Sequence, residues 1–90
     1  MAEGKILVFV ADDSPEVVEA IGALTASDDA IEIAGHCDNG LNVADAIRDV
    51  QPDVLVLDIS LPGLNGLEVC KVVKAQFPTT AVVMLSMNTN

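Results

Sequence analysis

A doubly wound α/β layout, a parallel sheet with helices on both faces, is the fold this sequence predicts, and three observations carry it. Short unbroken apolar runs at residues 6–10, 54–57 and 81–85 have the length of buried strands. Stretches with apolar residues every three or four positions alternate with them. The chain also has only two aromatic residues, Phe9 and Phe77, so its interior is built from Val, Leu, Ile and Ala, which suits such a sheet.

The first run ends in Asp12-Asp13-Ser14-Pro15, where Ser14 is a helix cap, Pro15 a first-turn residue and Glu16 a favourable charge beside the helix start. Val17, Ala20, Ile21 and Leu24 form the apolar stripe of that helix, which fades by Ser27-Asp28. Ile31 to Cys37 reads as a second strand, and Asp38-Asn39-Gly40 supplies a turn and cap. Residues 41–50 read as a helix that buries Val43, Ala46, Ile47 and Val50 and turns Asn42, Asp45, Arg48 and Asp49 outward, stopped by Gln51-Pro52. The third strand, 54–57, runs straight into Asp58. A loop with Pro62, Gly63, Asn65 and Gly66 leads to a helix over 67–77 with Val69, Cys70, Val73 and Phe77 inward, closed by Pro78. The fourth strand, 81–85, ends at Ser86, and Met87-Asn88-Thr89-Asn90 follow. Right-handed crossovers make this order a parallel sheet within one domain, residues 1–90.

Fourteen acidic against four basic residues give a net charge of −10, which repels nucleic-acid backbones and anionic lipid alike. No nucleic-acid or membrane partner is expected through this segment. The opening residues lack an export signal and no apolar run has bilayer length, so the expected setting is the cytoplasm. Cys37 and Cys70 lack CxxC spacing and read as small buried hydrophobes in a reducing compartment.

Parallel sheets gather their sites beyond the carboxyl ends of their strands. There the first strand delivers Asp12 and Asp13, the third Asp58 and the fourth Ser86. Clustered carboxylates with no interleaved cationic side chain repel one another unless a cation joins them, and an all-oxygen donor set favours Mg²⁺. With that charge offset, one carboxylate can attack a phosphoryl donor in line, and Asp58 is the candidate nucleophile. An acidic pair at a helix start can equally serve only the helix dipole, and a strand-end serine can serve only local backbone. His36 reads as a structural histidine, Lys71 and Lys74 as a solvated face, and Met84 and Met87 as core filling or exposed tail.

The segments 6–8 leading to Asp12-Asp13-Ser14-Pro15, 52–68 around Asp58, and 82–86 resemble the receiver domains of bacterial response regulators in two-component signalling. The resemblance implies a flavodoxin-like fold, with Asp58 accepting a phosphoryl group from the phosphohistidine of a sensor histidine kinase. It further implies that Asp13, Asp58 and the Ser60 backbone carbonyl bind Mg²⁺, that Asp12 assists through water, and that Ser86 is the switch hydroxyl. The stretch Ile31 to Gly40 is similar to receivers that precede a helix-turn-helix output domain.

Family members continue past the hydroxyl strand with a helix, a strand and a final helix, so the expected fold is incomplete, with four strands and three helices. The family's phosphate-pairing lysine is expected to be missing, since Lys5, Arg48, Lys71 and Lys74 do not occupy its place. Weakened phosphotransfer follows, and so does a homodimer or domain-swapped assembly through the uncovered fourth strand. One alternative is a non-signalling fragment that acts as a dimerising piece. Another is an aspartyl-phosphate phosphatase of the haloacid-dehalogenase type, disfavoured because Ser60 stands where that family carries a second acid.

Overall fold

The computed structural model describes residues 4–85. Strand β1 (Ile6–Ala11) is followed by α1 (Pro15–Thr25), β2 (Ile31–Cys37), a 3-10 turn at Gly40–Asn42, α2 (Val43–Val50), β3 (Val54–Asp58), α3 (Gly66–Gln76) and β4 (Ala81–Leu85). The sheet order is β2-β1-β3-β4 and every pairing is parallel. The chain moves outward from β1 to β2 and back across β1 to β3, so right-handed crossovers put α1 on one face and α2 and α3 on the other.

Caps set the helix starts. Ser14 Oγ accepts the Val17 N–H at 3.4 Å, and Asn65 Oδ1 accepts the Glu68 N–H at 3.0 Å, where the sequence places α3 one residue later. The expected helix over 41–50 divides instead. Asn39 Oδ1 takes the Leu41 N–H at 2.8 Å and holds a tight 3-10 turn, so α-helical geometry begins only at Val43. Gln51 ends α2 in the left-handed region at φ 53°, and its N–H donates to the Ile47 carbonyl.

The core lies between the sheet and the α2/α3 layer. Phe9, Ala11, Leu55 and Leu57 from the strands meet Val43 and Ile47 of α2 and Val69 and Val73 of α3, all buried. The β1–β3 register sets Phe9 beside Leu55 and Ala11 beside Leu57, and side chains two apart share a face. Cys37 and Cys70 pack against this cluster but stay half-buried, short of the full burial expected of them.

The opposite face is thinner. Val10 is fully buried there, but Val83 is 48% exposed. The α1 stripe departs from expectation as well: Val17 and Ile21 are half-buried, Ala20 is exposed and Leu24 is 79% exposed. Periodicity marks the apolar side of a helix, but burial needs a surface opposite it, and the described residues place none against Leu24.

Candidate functional site

Register builds the site. Ala11 of β1 pairs with Leu57 of β3, so the next residue of each strand, Asp12 and Asp58, stands level beyond the same end of the sheet. The Asp12 N–H donates to the Cys37 carbonyl at 3.0 Å, which carries the β1–β2 ladder as far as Asp12 itself. Asp58 closes β3 opposite Leu85 of β4. Ser86 follows Leu85 directly and lies outside the described residues.

Asp12, Asp13 and Asp58 each bring a carboxylate oxygen within 4.8 Å of the others. Asp12 and Asp58 are each 2% exposed, while Asp13 is open to solvent. Two buried carboxylates within this distance repel by at least about 3 kcal/mol at an effective dielectric of roughly 20. Asp12 bears the consequence. Burial pushes its carboxyl above the ordinary value of 3.8, the Ser14 N–H bond pulls it back, and the charges of Asp58 and Asp13 add to the rise. Its Oδ1 accepts that Ser14 N–H at 2.8 Å, whereas Oδ2 is buried with no hydrogen-bond partner, the one such side-chain atom among the described residues. An orphaned buried carboxylate oxygen on a member of the acidic triplet fits a cation, as does an all-oxygen donor set.

Asp58 is held from its own turn. The Ser60 N–H and the Ser60 hydroxyl both donate to Asp58 Oδ1, at 3.0 and 3.1 Å. The sequence reading gave Ser60 a role through its backbone carbonyl and missed this side-chain contact, whose only sequence signal is a hydroxyl residue two places after an aspartate. A second missed feature is the support of the 58–66 loop. The Gly40 N–H donates to the Pro62 carbonyl at 2.8 Å, and any Cβ on Gly40 would run into the Leu64 carbonyl. Gly66 closes the loop by donating its N–H to the Ile59 carbonyl at 2.8 Å, and a Cβ there would lie 2.6 Å from Ile59 Cα and collide with the Asp58 carbonyl.

A cleft of about 260 Å³ adjoins the acids, walled by Pro15, Val18 and Glu19 of α1 and by His36 and Asp38 at the end of β2. His36 lies on its wall and supplies no ligand atom to the acidic triplet. Lys71 pairs with Glu68 at 3.5 Å, and Arg48 pairs with Asp45 at 2.7 Å and sits 5.8 Å over the Phe77 ring. Both cations are thus engaged on helix surfaces.

Fold and site together define a class: a small α/β domain with aspartates gathered at the carboxyl ends of its strands. Comparison with known proteins narrows it. The family model described as response regulator receiver domain matches residues 8–90, and the chain belongs to that family of two-component signalling domains. It is 33% identical over 87 residues to a protein-glutamate methylesterase/protein-glutamine glutaminase of Rhodopseudomonas palustris, covering 97% of this chain and 24% of that protein. It is 30% identical over 79 residues to the uncharacterized transcriptional regulatory protein YhcZ of Bacillus subtilis, covering 88% of this chain and 37% of the other. Among solved structures, the isolated REC domain of RcsB from Salmonella enterica serovar Typhimurium, determined with the phosphomimetic BeF3−, superposes with a TM-score of 0.88. That match has 26% identity and covers 96% of this chain and 64% of the other. The chain spans about a quarter of the methylesterase, so that enzyme's reaction is a statement about the longer protein.

Proposed function

We propose that this domain accepts a phosphoryl group on Asp58 from the phosphohistidine of a sensor histidine kinase, in the cytoplasm and with Mg²⁺. The observation that carries the reading is the meeting of Asp12, Asp13 and Asp58, with a buried Asp12 oxygen left without a partner. Asp13, the Asp58 carboxylate and the Ser60 backbone carbonyl would hold the ion, with Asp12 assisting through water. When bound, Mg²⁺ supplies the positive charge that offsets and orients the phosphoryl oxygens.

Asp58 performs the transfer. One of its carboxylate oxygens attacks phosphorus, the P–N bond to the donor imidazole breaks, and the imidazole leaves with the bonding electron pair and takes up a proton. The product is an aspartyl phosphate on Asp58. The turn formed by Ile59 and Ser60 and the closure through Gly66 keep the carboxylate pointed into the acidic site. Ser86 is assigned as the switch hydroxyl from its place after β4 and from the family. The test is to treat the chain with a small phosphodonor such as acetyl phosphate and Mg²⁺ and to weigh it. One added phosphoryl group is expected on the wild-type chain and none on Asp58→Asn, and equal labelling of both would refute the assignment.

A second reading concerns assembly. Strand β4 pairs only with β3 among the described residues and has Val83 48% exposed on the thinner face. An open strand edge beside an exposed apolar side chain favours pairing with a second copy, by edge addition or domain swapping. Sedimentation of the chain should give a dimer that Val83→Lys shifts toward monomer, and a wild-type monomer at high concentration would end this reading.

A further inference from the structure

The turn that presents Asp58 also loads one of its two oxygens. Both Ser60 donors, N–H at 3.0 Å and Oγ–H at 3.1 Å, fall on Oδ1, and Oδ2 receives no donor among the described residues. A carboxylate oxygen offers two lone pairs, so the two Ser60 donors fill Oδ1. The phosphoacceptor reading, on which this inference rests, asks Asp58 to hold a cation with one oxygen while the other attacks phosphorus. Oδ2 cannot do both, so Oδ1 has to surrender a donor before the cation can use it.

The two donors differ in how easily they leave. The N–H is fixed by the backbone of the turn. The hydroxyl rotates freely, and Ser60 is exposed, so water can satisfy it once it swings away. We propose that the Ser60 side chain is a positioning residue that holds the Asp58 carboxylate in the metal-free site and is displaced from Oδ1 by the incoming divalent cation. The hydroxyl thereby sets the affinity of the site for Mg²⁺, and the metal-free and metal-loaded states differ in which group occupies that oxygen.

The test is a Mg²⁺ titration of the whole chain by calorimetry, since the sequence has no Trp or Tyr to report binding by fluorescence. Removing a hydroxyl that competes with the ion is expected to tighten binding in Ser60→Ala about fivefold, the equilibrium worth of one ordinary net hydrogen bond. Ser60→Thr restores the hydroxyl and should return the affinity to that of the wild-type chain. Ser60 is exposed, so both variants are expected to fold, and circular dichroism melts verify it. Unchanged or weaker binding in Ser60→Ala overturns the proposal, as does a threonine variant that binds as tightly as the alanine one. If the wild-type chain binds, Asp58→Asn does not, and Ser60→Ala matches wild type, only the role of Ser60 falls. If the wild-type chain shows no saturable uptake, the phosphoacceptor reading falls with it.

Discussion

Replacing Asp12 with asparagine probes the electrostatics of the acidic triplet without changing its shape. Asn retains an Oδ1 acceptor for the Ser14 N–H, now bonded at 2.8 Å, and removes one of two carboxylates that are 2% exposed. Within 4.8 Å and at an effective dielectric of roughly 20, their repulsion is at least about 3 kcal/mol. Solvent at Asp13 and small side-chain shifts relieve part of it, so Asp12→Asn is expected to stabilise the metal-free domain by about 1–3 kcal/mol. With a urea slope of roughly 1 kcal/mol/M, the midpoint should rise by about 1–3 M.

The assay is urea unfolding followed by far-ultraviolet circular dichroism, once in chelator and once in excess Mg²⁺. In chelator the asparagine variant should be the more stable. In Mg²⁺ the order should reverse, because only the wild-type chain gains the full stabilisation of a ligand that binds the folded state. The pH dependence follows from the raised Asp12 carboxyl. A raised group contributes its stability below 3.8, and that contribution is lost as pH climbs through the elevated folded-state value. In chelator the wild-type chain should therefore lose stability across that interval, and Asp12→Asn should lack that loss. A midpoint that is unchanged or lower for the variant in chelator would refute the electrostatic account.

Two further outcomes test the surroundings of the site. Gly66→Ala, whose Cβ would collide with the Asp58 carbonyl, should cost roughly 3 kcal/mol in the same urea assay, and a loss within about 0.5 kcal/mol of zero would refute the close approach. Burial keeps the Cys37 thiol protonated above its ordinary 9.0, assisted by the charge of Asp38 and opposed by the Asn39 contact, so at pH 9.0 iodoacetamide should label Cys37 much more slowly in the folded chain than in urea. Equal rates, read by peptide mass, would count against that burial.

The strands were legible because a buried parallel strand is written as a continuous apolar run, and 54–57 running into Asp58 is the plainest case. Asp12, Asp13 and Asp58 were legible as candidates because each follows such a run. Their meeting at one rim was legible too, because a parallel sheet brings its strand ends together, but the register that sets them level, Ala11 against Leu57, was not, and a slip of one residue along β3 would have parted the acids without altering any local pattern. The 3-10 turn before α2 escaped because Asn39 competes for the Leu41 N–H through a side chain, which apolar spacing does not record. The exposure of Leu24 escaped because a helix's own residues mark its apolar side but not what stands opposite it. The Ser60 hydroxyl was hidden by the commonness of serine in turns.

The bond from the Gly40 amide to the Pro62 carbonyl gives the 58–66 loop a natural isotopic reporter. That amide proton can exchange with heavy water only when the 58–66 segment lifts away from the approach to α2. Its exchange rate is thus a clock for loop opening, readable at a residue that takes no part in the chemistry. Slower exchange after phosphodonor treatment would mean that modification locks the two loops together, and faster exchange that it pries them apart.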